Sequence, residues 1–231
     1  MYQIHTPSAL IFVGQVLISL YVVRKACILN THSCQTDINE FVRVASHSRL
    51  KWKSVMAAIW NGIPVNGRWN RLDEQCCAGS PVCGCAGCTA LHWATYHQRY
   101  ETVKVLLAAG ANVNVKAESG VTPVWKGAEC STASILQLLI DGGGIVNTTE
   151  NESQTALIAL AKWNHGDAIA RLAVLLACQE LDLDAKWEEH TAEEWALSNR
   201  HFTLAKAIAN ERCQRARWGC FRSAWVAAII A

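Results

Sequence analysis

Apolar residues recur at helical spacing along most of this chain. Ala58 and Ile59 lie three and four residues after Val55, and Leu91 and Ala94 are again three residues apart. Side chains at this spacing lie on one face of an α-helix. Glycines and short polar stretches separate the apolar runs, which is typical of helix ends followed by turns. The pattern therefore predicts a succession of short helices.

A short threonine-led motif recurs at a nearly constant interval. It begins at Thr89, Thr122, Thr155 and Thr191, which are 33, 33 and 36 residues apart. A second landmark, an apolar helical pattern that ends in asparagine, recurs at Asn114 and Asn147, again 33 residues apart. Periods of this length are typical of proteins built from stacked helical repeats.

The recurring unit has the local chemistry of a helix pair. Thr122 followed by Pro123 is a good helix start, because threonine caps the first turn and proline fits its first position. Leu106 and Leu107 fit the inner side of a second helix, and Gly110 suits the left-handed residue that ends it. Because one such pair cannot bury its own apolar face, several pairs must stack.

These repeats resemble the ankyrin repeat family. The matching residues are Gly87, Thr89, Leu91, His92, Ala94, Leu106, Gly110 and Asn114 in the first full unit, Thr122, Pro123, Gly143 and Asn147 in the second, Thr155, Leu157 and Leu175 in the third, and Thr191, Ala196 and Leu204 in the fourth. The resemblance implies an all-α ankyrin-repeat solenoid of helix-turn-helix units with short hairpin loops. About five units are expected within residues 37–214, and His92 is expected to tie its helix to a neighbouring loop by hydrogen bonds.

Several positions depart from the family pattern. Trp125, Ile158 and Glu194 stand where the first unit has His92, and the third unit carries about three extra residues. The largest departure is a cysteine-rich insertion at about 67–86.

The insertion is the one candidate metal site in the sequence. Its cysteines are Cys76, Cys77, Cys83, Cys85 and Cys88. Their spacings allow four thiolates around one Zn²⁺, but no second Cys-x-x-Cys lies at a standard distance. Local disulfides or a plain flexible loop are the alternatives, and we predict no bound metal or cofactor.

Two terminal segments flank the predicted repeat domain. Residues 1–36 contain an uncharged apolar run at 9–23, which is short for a membrane span and is also compatible with a signal peptide or a buried extension. Residues 215–231 form a basic amphipathic tail. This tail either docks on a membrane or partner, or caps the open end of the last repeat, and we favour the cap.

Composition and charge narrow the function classes. The net charge of +2 is too balanced to indicate nucleic acid as a partner. The chain has no phosphate-binding glycine loop, no zinc-protease motif and no serine nucleophile elbow, so we predict neither an enzyme nor a small-molecule substrate.

The resemblance implies that a partner protein binds the concave face formed by the fingers and first helices. Offsets from each threonine place on this face Tyr96, His97, Lys116, Glu118, Glu129, Asn151, Glu152, Lys162, Trp163, Trp187 and Glu188. Aromatic residues among polar ones are typical of binding hot spots. The alternative is that Trp163 and Trp187 pack against each other or against a neighbouring helix.

The sequence therefore predicts a cytoplasmic, non-enzymatic protein-protein interaction scaffold or adaptor. Two alternatives remain at this point. One is an adaptor tethered to a membrane by residues 9–23, and the other is a regulator that binds metal through its cysteine-rich loop.

Overall fold

The computed structural model describes residues 38, 41, 42, 45, 52–68, 86–150 and 153–230. Its helices with defined bounds are α1 (Trp52–Trp60), α2 (Ala90–Tyr96), α3 (Tyr100–Ala108), α4 (Pro123–Cys130), α5 (Ala133–Asp141), α6 (Ala156–Trp163), α7 (Ala168–Leu176), α8 (Ala192–Ser198) and α9 (Phe202–Ile230). Two short strands, β1 (Lys186–Trp187) and β2 (His190–Thr191), pair antiparallel before α8.

The helices stack in two rows. Helices α2, α4, α6 and α8 are the first helices of successive units, and each packs against the next. Helices α1, α3, α5, α7 and α9 are the second helices and form a parallel row in the same way. Buried helical residues Phe41 and Val42 precede α1. The predicted all-α solenoid of helix pairs is confirmed.

Threonine starts the first helix of each unit, as the sequence predicts. The Thr122 hydroxyl accepts a hydrogen bond from the Trp125 amide at 3.2 Å, and the Thr155 hydroxyl accepts one from the Ile158 amide at 3.3 Å. Each bond satisfies an amide that has no partner within the first turn of its helix. The period in threonine is therefore a period in helix starts.

One repeated leucine or isoleucine position forms the centre of the core. Leu106, Leu139, Leu175 and Ile208 lie on successive second helices and are at most 1% exposed. Because each touches the neighbouring unit as well as its own, burial continues from one unit to the next. The core is thus one continuous layer between the two helix rows.

Arg171 interrupts this apolar layer. It lies four residues before Leu175, where the other units have Thr102, Ile135 and Leu204, and it is fully buried. Its Nη1 donates to the Ala128 carbonyl at 2.6 Å. Its Nε and Nη2 have no hydrogen-bond partner among the described residues, and burial lowers the pKa of the guanidinium.

Asparagine side chains join the loops of adjacent units. Asn114 donates through Nδ2 to the Gly143 carbonyl at 2.9 Å and accepts the Ile145 amide at 2.9 Å. Asn147, 33 residues later, makes the equivalent pair of bonds to the next loop. Asn66 also accepts a backbone amide from the following unit. The asparagine period in the sequence is therefore a ladder between units.

His92 links the first full unit to the second, as expected. Its Nδ1 accepts the Thr89 amide at 3.1 Å, so its Nε2 carries the proton and donates to the Val121 carbonyl at 3.1 Å. Trp125, one period later, donates from its Nε1 to the Gln154 carbonyl at 3.0 Å. An indole thus replaces an imidazole because both present an N–H at the same place.

The His92 ring is neutral in this environment. Burial lowers its pKa from 6.5 to about 4, because the protonated ring would lose water and could no longer accept the Thr89 amide. The Trp125 indole does not take up a proton in this pH range. Of the two junctions, only the one at His92 therefore depends on the charge of its ring.

The last helix covers the end of the repeat array. Leu204 and Ile208 of α9 are buried, and α9 packs against α7 and α8. The helix runs without a break through 214–215, so the domain boundary predicted there falls inside one helix. Arg215, assigned to the tail, packs back onto the preceding unit.

Two arginines fasten α9 to the loop that follows α7. The Arg215 guanidinium donates to the carbonyls of Leu176, Cys178, Gln179 and Leu181 at 2.8–3.3 Å. Arg212 pairs with Glu193 at 2.7 Å and Asp184 at 3.0 Å. Arg215 therefore caps the carbonyl end of α7, where cations are favoured.

Replacing Arg215 by alanine should destabilise the array. The carbonyls at the end of α7 would lose their charged donor, so we expect the free energy of unfolding to fall by about 2 kcal/mol. Chemical denaturation followed by circular dichroism measures this. Arg217→Ala, an exposed change two residues later on the same helix, is the matched control. Equal stability of the two variants would contradict the capping role.

Acid should weaken the junction at His92. The pKa of His92 is lower in the folded chain than the ordinary 6.5, so the folded state binds the proton less well than the unfolded state. The stabilisation is complete above pH 6.5 and is lost as the pH falls towards 4, by about 3 kcal/mol in total.

This pH dependence is measured by denaturant unfolding at intervals between pH 7 and pH 4. His92→Gln keeps an N–H donor but does not titrate, so its stability curve should be flatter than that of the unchanged chain over this window. Parallel curves for the two proteins would show that His92 is not the titrating group.

Candidate functional site

The first helices present one row of partly exposed side chains. Tyr96, Glu129 and Lys162 lie seven residues after the leading threonine of their units, and Trp163 lies eight after. The rings of Tyr96 and Trp163 belong to residues that are 50% and 47% exposed. We call these four residues the first-helix face. Stacking of the units at a fixed period brings residues from three units into this row.

An aromatic cluster fixes Tyr96 at one end of the face. Trp93 meets Tyr96 edge-on with ring centroids 6.3 Å apart, and His97 stacks on Trp93 at 5.7 Å. The Lys126 ammonium lies 5.7 Å from the centre of the Tyr96 ring and pairs with Glu129 at 2.7 Å. Burial opposes the charge on Lys126, but the Glu129 carboxylate outweighs it and raises the pKa of the ammonium.

A second cluster surrounds Lys162. Its ammonium lies 3.9 Å from the ring centre of Trp187 and 5.1 Å from those of Trp163 and Trp195. Trp187 and Trp195 are themselves packed together, with centroids 4.9 Å apart. The Trp195 Nε1 also donates to the Trp187 carbonyl at 3.1 Å. This cluster joins the hairpin of β1 and β2 to helices α6 and α8.

The two predicted tryptophans have different environments. Trp187 is only 7% exposed and packs against Trp195 of α8, which is the packing alternative that the sequence left open. Its ring therefore supports the face from beneath rather than forming part of its surface. Trp163 remains about half exposed and stacks beside His165, with ring centroids 6.4 Å apart.

The other predicted contact residues lie mainly in the loops. Lys116 and Glu118 are exposed, and the Lys116 ammonium donates to a carbonyl of the next loop at 3.3 Å. Glu188 is exposed at the tip of the hairpin, with a left-handed φ of 48°. Asn151 and Glu152 lie outside the described residues. The face and these loop residues border one side of the stack.

Sequence reasoning missed three residues that organise the face. Trp93, Lys126 and Trp195 each lie four residues after the leading threonine of their unit. That shared offset puts them one helical turn before the seventh position, where they contact Tyr96, Glu129 and the Lys162 cluster. The signal was therefore present in the period, but it is visible only when the units are compared position by position.

Cys130, Cys178 and Cys213 are free thiols. Cys88 is buried, and burial raises the pKa of the half-buried Cys130 thiol to about 12. Cys76, Cys77, Cys83 and Cys85 lie outside the described residues. Within the described ranges, no three His, Cys, Asp or Glu side chains are grouped so that they could hold a metal ion.

The described residues contain no helix with the length and apolar composition needed to cross a bilayer. The apolar run at 9–23 lies outside them, so the membrane-tether alternative remains a prediction.

Comparison with known proteins identifies the repeat. The ankyrin repeat family model matches residues 86–118, which contain α2, α3 and the loop after them. An ankyrin repeat and KH domain-containing protein of Caenorhabditis briggsae is 29% identical over 123 residues, covering 52% of this chain and 4% of that protein. The mouse RelA-associated inhibitor is 37% identical over 83 residues, covering 36% of this chain and 10% of the inhibitor.

A third relative, the ankyrin repeat and KH domain-containing protein mask-1 of Caenorhabditis elegans, is 37% identical over 79 residues, covering 33% of this chain and 3% of the relative. The matched region thus spans a tenth or less of each of these relatives. The likeness concerns the repeats and not the whole of those proteins.

Proposed function

This chain is an ankyrin-repeat protein, and we propose that it acts as a non-enzymatic adaptor or scaffold that binds another protein through the first-helix face. Ankyrin repeats indicate protein-protein interaction. We choose this surface because it holds two half-exposed aromatic rings, Tyr96 and Trp163, in fixed positions among charged side chains.

The composition of the face supports this proposal. Tyrosine and tryptophan provide large contact areas with few rotatable bonds, and they dominate binding energy at protein interfaces. Here they lie beside Glu129 and Lys162, which supply charge for orientation.

The rigidity of the scaffold also supports it. Tyr96 is braced by Trp93 and the Lys126–Glu129 ion pair, while Trp163 stacks on His165. Because the helices beneath are capped and joined between units, a partner would find the surface already formed. Little ordering entropy would then oppose binding.

The partner is proposed to be a protein, with no cofactor or small-molecule substrate. One relative is named RelA-associated inhibitor, and inhibition by direct contact is one form that such binding takes. We retain the cytoplasm as the proposed location, because reduced thiols are typical of that compartment.

Changing Tyr96 and Trp163 together to alanine should abolish partner binding while the chain stays folded. Both rings are half exposed, so their loss leaves the core intact, whereas a change at buried Trp187 would open a cavity. Proximity labelling with the full chain in cells, quantified by mass spectrometry, identifies the neighbours. We expect a distinct set of proteins to fall by about tenfold or more.

Ile169→Ala is the matched control. Ile169 is 52% exposed but lies on α7, in the second-helix row. Circular dichroism verifies that both variants fold. If the double variant keeps the same neighbours, or if the control loses them equally, the first-helix face is not the binding surface.

A further inference from the structure

The Lys162 ammonium is unusual among the cations of this surface, because the described residues offer it only aromatic partners. Three indole rings lie within 5.1 Å of its Nζ. No carboxylate of the described chain lies within ion-pair distance. Indole faces attract the positive charge, but they leave its three N–H donors without ordinary acceptors.

The neighbouring unit shows how the same kind of site is completed. There the Lys126 ammonium lies 5.1 Å from the Trp125 ring centre and 5.7 Å from that of Tyr96. Its charge is also paired with Glu129 at 2.7 Å. Both clusters therefore place an ammonium on aromatic rings, and among the described residues only the cluster around Lys126 contains a carboxylate.

The repeat register explains the difference. The seventh position after the leading threonine is Glu129 in the second unit and Lys162 in the third. The fourth position is Lys126 in the second unit and the buried Ala159 in the third. The third unit thus has its cation at the position where the second unit has its carboxylate, and no acidic side chain of the described residues pairs with it.

We propose that Lys162 is the docking point for a carboxylate of the bound protein. The carboxylate belongs to an Asp or Glu side chain, and an apolar residue beside it in the partner packs on the exposed ring of Trp163. This inference rests on the proposed function and specifies the chemistry of its partner. The bound carboxylate would take the part at Lys162 that Glu129 takes at Lys126.

The surroundings favour a single carboxylate over a polyanion. Glu188 and Glu189 are exposed at the tip of the hairpin that carries Trp187, and Glu129 lies on the same face. A phosphate backbone is held by several cations together, and it would meet these acidic groups. One acidic side chain next to an apolar one fits one ammonium next to one indole.

Peptide selection on the purified full chain tests this. Random 12-residue peptides displayed on phage are selected on the unchanged chain and on Lys162→Arg, Lys162→Gln and Lys104→Gln. We expect Asp or Glu beside an aliphatic or aromatic residue to be enriched on the unchanged chain and on Lys162→Arg. The enrichment should disappear on Lys162→Gln and persist on Lys104→Gln, which removes an exposed lysine of α3 in the second-helix row.

A second measurement does not depend on the stability of any single variant. A selected peptide and its Glu→Gln or Asp→Asn counterpart are compared by calorimetry on the unchanged chain, where the amide should bind about tenfold more weakly. On Lys162→Gln the two peptides should bind alike. Thermal unfolding verifies that the variant is folded.

The outcomes separate this inference from the proposed function. If selected peptides need Tyr96 and Trp163 but show no acidic preference, Lys162 is not the docking point and the face still binds. The same conclusion follows if the amide peptide binds more weakly than the acidic peptide by the same factor on the unchanged chain and on Lys162→Gln. If no selected peptide depends on either the rings or Lys162, both proposals are wrong.

Discussion

The fold depends on one constraint, which is that a single short helix pair cannot cover its own apolar side. Leu106, Leu139 and Leu175 are fully buried on second helices that pack against the second helices of adjacent units. That requirement fixes the period, since equivalent positions must face one another at each junction. The polar links then follow the same register, from the threonine caps to the Asn114 and Asn147 bonds. Stability, shape and the spacing of surface side chains therefore share one origin.

The four units solve the same junction problem with different chemistry. His92 and Trp125 each send an N–H to a carbonyl of the next unit. Ile158 sends no polar group across and relies on burial, while Glu194 turns back to accept the Thr191 amide of its own helix. Glu194 belongs to the last unit, whose second helix α9 instead bonds to the preceding unit through Arg215. The array therefore changes from polar links at its start to apolar packing and an arginine clamp at its end.

Much of the fold could be predicted from the sequence because its determinants are local and repeated. Threonine at a 33-residue interval marks helix starts, and the histidine bond follows from its position. All four residues of the first-helix face were among those that the sequence placed on the binding surface, since each lies seven or eight residues after a leading threonine. That they contact a partner stays a prediction. The sequence left the burial of Trp187 open, because the third unit has extra residues and the hairpin packs onto Trp195 through contacts that no period encodes. The aromatic setting of Lys162 depends on that same hairpin.

Arg171 has a consequence for how the array opens. Its guanidinium occupies a core position with one acceptor, whereas the matching residues Ile135 and Leu204 fill theirs with hydrocarbon. In a stack where stability spreads only between neighbours, a weak unit divides the chain into segments that unfold separately. We therefore expect the third unit to separate the array into two blocks that each unfold cooperatively. Lys162 and Trp163 belong to this third unit, so a partner bound across the first-helix face would couple the unfolding of the two blocks.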